Sequence, residues 1–341
     1  MPSESRLPNK ICCKVENIGY FKKLDDMTAV AGVKPARLNE DRRLYGRLGR
    51  NKLDLKLGTE GFVDEGGGDK FQSIFDYLKK TNLKGSVLEE IIDADFFSNR
   101  RIIQQFAMAG HRYPDGMEIK AVRKNGVIFL CDTTEFQGYW NGVPCPYGYK
   151  FEQCMTLDEN GEPHDKYAKV SNAECTKGVF RTTLLSENQE IKLFYAAELD
   201  AMDSNGKLVE MKTTAQPLLK WLKFKSLKDY TQSYFGNIDS ILYGYKTSDE
   251  VVIEVERIPL KNIPNIVSEN LGQRKNLEPF IWNFDKCLGM LFSILEGIKS
   301  RLEFDDDAIT VKISSKTGVS YEALNEAECT FVDPLFLRHF D

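Results

Sequence analysis

The stretch from Ile191 to Thr214, IKLFYAAELDAMDSNGKLVEMKTT, constrains the chain more than any other. Its pattern predicts a strand, a tight turn and a second strand. Glu198 and Asp200 lie two residues apart on the first strand, so their side chains share a face of the sheet. Glu210 and Lys212 have the same spacing on the second strand. The turn decides whether the two pairs lie on the same face.

Two turns are compatible with this sequence. A two-residue turn of Asn205 and Gly206 places Asp200 out of line with Glu210, which separates the acids onto opposite faces. A three-residue turn also includes Ser204 and uses Gly206 as the left-handed residue of a bulge. In that arrangement Asp200 lies directly opposite Glu210.

The three-residue turn brings four charges together. Glu198 then lies opposite Lys212, and directly opposed residues have Cβ atoms about 4.5–5.5 Å apart. Three carboxylates at such distances repel one another strongly unless cations lie between them. We therefore predict the three-residue turn and, with it, a metal site.

The composition is that of a globular protein. The chain has 341 residues, of which 42% are hydrophobic and 11% aromatic, enough to bury a full core. Its 46 Lys and Arg against 51 Asp and Glu give a net charge of −5, which argues against a surface coated in positive charge. The eight cysteines include no C-x-x-C pair, and a chain of this length needs no disulfides. We therefore expect reduced thiols and an intracellular protein.

Several classes of protein are disfavoured by missing motifs. His111, His164 and His339 are far apart in sequence, which disfavours a zinc site. No strand is followed by a glycine-rich nucleotide-binding fingerprint. The N-terminus lacks the apolar core of a signal peptide, and the longest apolar-rich run, Leu288–Ile298, is too short to span a bilayer. We expect no membrane association.

The remaining pattern alternates between helical and strand spacing. Helices are predicted from Lys70 to Phe106, Pro217 to Phe235 and Glu278 to Leu302, strand pairs at Met117–Thr133 and at Ile238–Tyr245 with Val251–Ile258, a late strand at Ala308–Ser314, and a loop at Gly138–Gly148. This mixture, without repeats or a clear linker, predicts a single α+β domain over residues 1–341 with mixed β-sheets flanked by helices.

A basic stretch runs from Arg42 to Lys52 in the polar N-terminal part of the chain. Contact with phosphates is one interpretation of this run. A solvated surface is the other, and we prefer it because such runs are common on surfaces.

The residue types in the central stretch suit one kind of chemistry. Carboxylate oxygens bind hard ions such as Mg²⁺ or Mn²⁺. Two such ions about 3.5–4 Å apart can clamp a phosphate and activate an attacking water, while a nearby lysine offsets transition-state charge. A solvated sheet face explains either charged pair alone equally well. Both pairs on facing strands, with one lysine among four charges, favour phosphodiester hydrolysis.

Several segments also resemble a known family. GYKFEQCM (148–155), AELD (197–200), VEMKT (209–213) and the helix around Lys228 and Gln232, followed by Gly244, resemble the ordered motifs of the DXO decapping exoribonuclease family. That family removes defective or unusual 5′ ends from RNA, including unmethylated caps, triphosphates and NAD caps, and many members then degrade RNA in the 5′→3′ direction. The resemblance runs from about Phe96 onward and is weak over residues 1–90, so residues 91–341 would form the catalytic core.

The resemblance implies roles for seven residues. Those implied to bind two Mg²⁺ or Mn²⁺ ions are Glu152, Glu198, Asp200 and Glu210. Those implied in catalysis are Glu152, Asp200, Glu210, Lys212 and Gln232. Those implied to bind substrate are Arg100, Glu198, Lys212 and Gln232. Two positions depart from the family pattern. Asn99 precedes Arg100 where the family usually has Trp, and Asp229-Tyr230 stands where an aromatic pair is common.

The implied substrate is the 5′ end of single-stranded RNA, capped or phosphorylated. A separate 5′→3′ exoribonuclease is an expected protein partner, and we expect a monomer in the nucleus or the cytoplasm. Two alternatives stay open at this point. One is a non-catalytic protein that binds RNA 5′ ends or activates a partner on the same fold, and the other is a DNA nuclease with the same metal core.

Overall fold

The computed structural model describes residues 10–65, 68–112, 116–132, 145–273 and 275–340, which form fifteen strands in two mixed sheets. The strands are β1 (Cys12–Lys23), β2 (Ala29–Ala31), β3 (Gly46–Arg47), β4 (Leu53–Asp54), β5 (Phe96–Asn99), β6 (Met117–Lys124), β7 (Val127–Asp132), β8 (Cys175–Leu185), β9 (Glu190–Glu198), β10 (Ala201–Met202), β11 (Leu208–Thr214), β12 (Ser240–Lys246), β13 (Val251–Pro259), β14 (Ala308–Ser314) and β15 (Gly318–Ala323).

Helices flank both sheets. They are α1 (Gln72–Thr81), α2 (Leu88–Ile92), α3 (Arg100–Met108), α4 (Tyr147–Met155), α5 (Leu218–Phe224), α6 (Ser226–Tyr234), α7 (Ile263–Leu271), α8 (Phe284–Lys299) and α9 (Pro334–Leu337). Among the described residues, no helix combines the length and apolar character that a membrane crossing requires. The α+β class with mixed sheets flanked by helices is confirmed.

The larger sheet has nine strands in the order β15-β14-β6-β7-β5-β9-β8-β1-β2. The short strand β5 runs parallel to both of its neighbours. Successive residues of β9 are apolar on both faces: Leu193 and Tyr195 belong to the core formed with α3 and α8, and Phe194 belongs to the core formed with α1. The centre of this sheet is therefore buried on both sides, as its parallel pairs require.

The smaller sheet has the order β10-β11-β12-β13-β3, with β4 also paired to β13. Strands β11 and β12 are parallel. Val209 and Met211 of β11 pack in the core cluster that includes α4. Because side chains alternate along a strand, Glu210 and Lys212 point to the opposite face, toward α5 and α6.

The prediction of one hairpin from Ile191 to Thr214 is wrong in one respect. Strand β9 ends at Glu198 in the larger sheet, and β10 begins at Ala201 in the smaller one. Glu198 consequently pairs with Lys177 of β8 rather than with Lys212. The chain crosses between the sheets at the two intervening residues.

The prediction of a three-residue turn is confirmed. The Asp203 N–H donates to the Lys207 carbonyl at 2.9 Å, and Gly206 has φ of 75°. The β10–β11 pairing has the register that this turn requires. Continued by one residue, that register brings Asp200 beside Glu210, as expected.

Three predicted helical stretches differ from the structure. Phe96–Asn99 is strand β5, inside a stretch predicted to be mostly helical. The long C-terminal helix begins at Phe284 rather than at Glu278, because Lys275–Phe280 forms a 3₁₀ turn and Asn283 caps α8 through a bond to the Lys286 N–H. The predicted helix of 217–235 is two helices, α5 and α6.

The N-terminal part contains structure that was not predicted. Strand β1 is twelve residues long and pairs with β8 in the larger sheet. In the basic stretch, the side chains of Arg42 and Lys52 are exposed, which is compatible with either interpretation of that run. The predicted loop of 138–148 lies outside the described residues up to position 144, and α4 already begins at Tyr147. The predicted strand pairs β6–β7 and β12–β13 and the late strand β14 are confirmed.

Candidate active site

The acids collect where the chain crosses between the two sheets. Glu198 ends β9, Asp200 lies in the crossing, and Glu152 belongs to α4. All three line one cleft of about 670 Å³. Three of the four predicted acids, from three separate elements, therefore share one cleft.

Strand β11 has an open edge beside the crossing. β10 pairs only with Leu208 and Val209, and in the described parts of the chain no other strand pairs with β11 on that side. The Met211 N–H donates instead to Oδ2 of Asp200 at 2.6 Å. A carboxylate thus takes the place of a strand carbonyl, and Asp200 is fixed in orientation.

Glu210 is the most enclosed of the acids, with 2% of its surface exposed. Lys212 Nζ and Gln232 Nε2 both donate to its Oε1, the latter at 2.9 Å. Its Oε2 lies 3.7 Å from Nη1 of Arg100. The structure therefore brings four of the seven predicted site residues into direct contact.

Arg100 reaches Glu210 because α3 begins at this residue. The Asn99 side chain accepts the Ile102 N–H at 3.1 Å and caps the helix. The capping of α3 thus explains why Asn can stand at position 99, where the chain departs from the family pattern. The guanidinium then passes Gly236, where a Cβ atom would lie 2.8 Å from Nη1 of Arg100.

Glycine also allows α4 to approach the smaller sheet. A Cβ atom on Gly244 of β12 would lie 2.7 Å from the ring of Phe151. Phe151 directly precedes Glu152 in α4 and is buried. Gly244 therefore sets the distance between the sheet and the helix that carries Glu152.

Charge holds Glu210 and Lys212 in their ionised forms. Burial opposes a charge on Glu210, but Lys212 and Arg100 outweigh it and lower the pKa of Glu210. Burial likewise opposes a charge on Lys212, but neighbouring carboxylates, Glu210 foremost, raise its pKa. The two groups form an ion pair at neutral pH.

The other acids are shifted in the opposite direction. Burial raises the pKa of Asp200, and the carboxylates of Glu210 and Glu152 raise it further. Burial and the neighbouring Glu198 raise the pKa of Glu152 to about 8. Ionising these two carboxylates is therefore costly without added positive charge.

The donor set suits hard divalent cations. All four acids offer carboxylate oxygens, the ligands that Mg²⁺ and Mn²⁺ prefer. Among the described residues, Oε2 of Glu210 is a buried oxygen without a hydrogen-bond donor. In the same parts of the chain the acids do not form a compact group of three metal-ligating side chains. Oε1 of Glu210 accepts hydrogen bonds from Lys212 and Gln232. The residues fit such cations by chemistry and charge.

Sequence reasoning missed one residue of the cleft and one residue of an adjoining pocket that Glu198 also lines. Tyr149 lines the cleft, and its hydroxyl accepts from Asn172 Nδ2 at 3.2 Å. Tyr149 lies inside the GYKFEQCM motif, so the motif was an available signal. Lys177, opposite Glu198, had no such signal because only the β8–β9 register places it there.

Curated proteins of similar sequence are decapping nucleases by name. Decapping nuclease dom-3 of Caenorhabditis elegans is 28% identical over 318 residues, which cover 83% of this chain and 76% of the relative. Decapping nuclease RAI1 of Neurospora crassa is 26% identical over 72% of this chain and 65% of its own length. Decapping and exoribonuclease protein Rai1 of Drosophila melanogaster is 27% identical over 58% of each. The chain thus spans less than two thirds of the latter two relatives.

Solved structures share the fold. Rai1 of Candida albicans, in complex with pU5-Mn²⁺, superposes with a TM-score of 0.79 at 16% identity over 98% of this chain and 96% of that one. Rai1 of Scheffersomyces stipitis, in complex with (3′-NADP)⁺ and a calcium ion, gives a TM-score of 0.76 at 17% identity over 96% and 95%. At these identities the likeness concerns the fold alone.

A family model covers most of the chain. The model of RAI1-like PD-(D/E)XK nucleases matches residues 22–335. The match therefore begins well before Phe96, where the resemblance of the motifs begins. Asp200 followed by Glu210-Met211-Lys212 has the D…E-x-K form in the family's description. The predicted resemblance to decapping nucleases is confirmed, and with it the prediction of a hydrolytic enzyme. The chain belongs to the RAI1-like PD-(D/E)XK nuclease family.

Proposed function

We propose that this chain hydrolyses phosphate linkages at the 5′ ends of RNA, removing incomplete caps, triphosphates or NAD caps, with 5′→3′ exonuclease activity on the exposed strand. One observation carries the proposal. Glu210 is buried and held by Lys212, Gln232 and Arg100, next to a cleft lined by the other three acids. The names of the relatives and the family of the chain support the same activity.

Each side chain has a proposed part in the reaction. Glu152, Glu198, Asp200 and Glu210 are the ligands of two Mg²⁺ or Mn²⁺ ions. When bound, the two ions supply the positive charge that polarises the phosphate and activates water. The remaining steps belong to the other residues of the site.

Lys212 and Gln232 act on the phosphate and the attacking water. Both already converge on Glu210, so their donors point to the carboxylate that would bind a cation. The Lys212 ammonium offsets negative charge as it develops on the phosphate. Arg100, on the other side of Glu210, provides a further positive charge for the RNA 5′ end.

Exposed lysines provide a route for the RNA strand. Lys220, Lys225 and Lys228 lie on or between α5 and α6, and all three are exposed. Since α6 also carries Gln232, these charges would guide the backbone toward the cleft.

The proposal also includes the domain organisation, oligomeric state, location and protein partner of the chain. The chain works as one domain and as a monomer, in the nucleus or the cytoplasm. Decapping leaves a 5′ end on which a separate 5′→3′ exoribonuclease can act, which makes such an enzyme the natural protein partner. The eight cysteines, all within the described residues, form no disulfide. This is compatible with a reducing compartment.

A panel of RNA 5′ ends tests the activity. With Mn²⁺, we expect cleavage of RNA that begins with a triphosphate, an unmethylated cap or NAD, and weaker cleavage of a methylated cap. A 5′-monophosphate RNA reports exonuclease activity separately. The measurement is product identity by chromatography, with matched single-stranded DNA alongside. Binding of every RNA without turnover would favour a non-catalytic binder, and equal cleavage of DNA would favour a DNA nuclease.

Replacing Gly236 by Ala tests the placement of Arg100. The added methyl group collides with Nη1 of Arg100, which must move away from Glu210. We expect kcat/KM to fall roughly tenfold to a hundredfold, as for a misplaced reacting group. The unfolding temperature should fall only modestly, because Nη1 of Arg100 ends a flexible side chain and Cγ1 of Ile238, 3.2 Å from the added atom, must shift only a few tenths of an ångström. Cleavage kinetics and thermal unfolding measure the two effects, and wild-type kinetics would contradict the role of Arg100.

A further inference from the structure

Helix α6 contains a buried carboxylate that has no part in the proposed reaction. Asp229 is 8% exposed. Its Oδ2 accepts two hydrogen bonds, from Trp221 Nε1 at 2.8 Å and from the Tyr243 hydroxyl at 2.9 Å. Asp229 also stands at one of the two positions that depart from the family pattern.

Both donors to Asp229 are uncharged. Burial raises the pKa of Tyr243, and the nearby Asp229 raises it further, so Tyr243 keeps its proton and donates it. None of the ion pairs among the described residues includes Asp229. A buried carboxylate is costly unless a positive charge lies nearby. The elements that pack around α6 must therefore supply that charge.

The nearby positive charge is Lys212. In the parallel pairing of β11 with β12, Lys212 lies beside Tyr243. Paired residues of neighbouring strands point to the same face, so both side chains face α6. The Tyr243 hydroxyl donates to Asp229 at 2.9 Å, which places the carboxylate on the same face of the sheet as Lys212.

Asp229 is also coupled to Gln232 through α6. The two residues are three positions apart and are neighbours on the helix surface. The bonds to Trp221 and Tyr243 tie this turn of α6 to α5 and to β12. Gln232 in turn donates to Glu210. The orientation of Gln232 thus depends on the same turn that Asp229 anchors.

We propose that Asp229 is a positioning residue for the reaction: its hydrogen bonds fix the helix turn that carries Gln232, and its negative charge holds the Lys212 ammonium on the α6 face of β11. The proposal rests on the proposed roles of Lys212 and Gln232. It assigns Asp229 no contact with RNA. A purely structural anchor is the alternative, in which the two hydrogen bonds matter and the charge does not.

Two variants separate charge from hydrogen bonding. Asp229→Asn keeps an oxygen that accepts from Trp221 and Tyr243 but removes the charge. Tyr243→Phe keeps the charge and removes one hydrogen bond. For Asp229→Asn we expect kcat on 5′-triphosphate RNA with Mn²⁺ to fall at least about tenfold, equivalent to about 1.4 kcal/mol. KM, RNA binding by the metal-free protein and the unfolding temperature should stay close to wild type, and Tyr243→Phe should keep most of kcat.

A double-mutant cycle with Lys212→Met supplies the second test. If Asp229 acts through Lys212, Asp229→Asn should lower kcat by the factor given above when Lys212 is present. In the Lys212→Met background the same substitution should change kcat very little. This measure stays valid if Asp229→Asn also lowers stability, because both backgrounds carry that loss.

The contrary results are distinct from failure of the proposed function. A wild-type kcat for Asp229→Asn overturns the positioning role while leaving the activity in place. Equal losses of kcat in Asp229→Asn and Tyr243→Phe, tracking unfolding temperature, overturn it in favour of a structural anchor. Absence of cleavage by the wild-type protein on every RNA of the panel instead refutes the proposed function.

Discussion

Replacing Asp200 by Asn is expected to abolish RNA cleavage and, at the same time, to stabilise the metal-free protein at pH 8. The amide can still accept the Met211 N–H, so the edge of β11 stays intact. It is a poor ligand for a divalent cation, and we expect kcat to fall by about a thousandfold. The two effects have one cause, the negative charge of the carboxylate.

The effect on stability follows from the direction of the pKa shift. The pKa of Asp200 is raised above 3.8 in the folded protein, so the folded state holds the proton more tightly than the unfolded chain does. The free energy of unfolding therefore decreases as the pH rises from about 3.8 through the raised pKa. The pKa of Glu152 is also raised, from 4.5 to about 8, so its ionisation likewise lowers the free energy of unfolding across that pH range. Asp200→Asn removes the part of this pH-dependent loss of stability that comes from Asp200.

Thermal unfolding between pH 5 and pH 8, with a chelator or with Mn²⁺, measures these effects. Mn²⁺ should raise the unfolding temperature of the wild-type protein at pH 8 and that of Asp200→Asn much less. Glu187→Gln is a matched control, since Glu187 is an exposed carboxylate between β8 and β9. Full cleavage of capped RNA by a protein carrying both Asp200→Asn and Glu210→Gln would refute the metal site.

Replacing Lys212 by Met is expected to remove both activity and stability. The loss of the ammonium should lower kcat by about a hundredfold to a thousandfold. It also leaves Glu210 buried without its closest cation, because Arg100 is 3.7 Å away and makes no hydrogen bond to it. We expect the free energy of unfolding to decrease by about 3 kcal/mol, the low end for a broken buried ion pair, because Arg100 stays nearby.

A compensating change separates the two losses. Adding Glu210→Gln to Lys212→Met removes the stranded charge, so the double variant should recover most of the stability and none of the activity. Denaturant unfolding and single-turnover cleavage provide the comparison. Recovery of cleavage in the double variant would mean that Lys212 serves only to neutralise Glu210.

The turn and the strand register beside the candidate site are predicted well because a few neighbouring residues specify them. Gly206 permits the left-handed residue of the three-residue turn, and that turn sets the register that brings Asp200 beside Glu210. Both are properties of a few neighbouring residues. Gln232 was assigned through the resemblance, and its contact with Glu210 agrees with that assignment.

The remaining features depend on contacts between distant segments. The break at Leu199-Asp200 leaves the alternating pattern intact, so nothing in the spacing marks the change of sheet. Strand β5 has four residues, three of them buried, and lies between helices, which makes its pattern ambiguous. Asp229 stands eight residues after Trp221 and fourteen before Tyr243, and only the packing of α5, α6 and β12 brings them together.

The crossing between the sheets also bears on how the protein loses activity on heating. Glu198 belongs to one sheet, Glu210 and Lys212 belong to the other, and Asp200 bridges them. A small separation of the sheets would disperse these groups while each sheet kept its own hydrogen-bond ladder. Local opening of this kind requires less free energy than global unfolding. Heat inactivation should therefore precede the loss of circular dichroism, and cation binding across the crossing should bring the two transitions together.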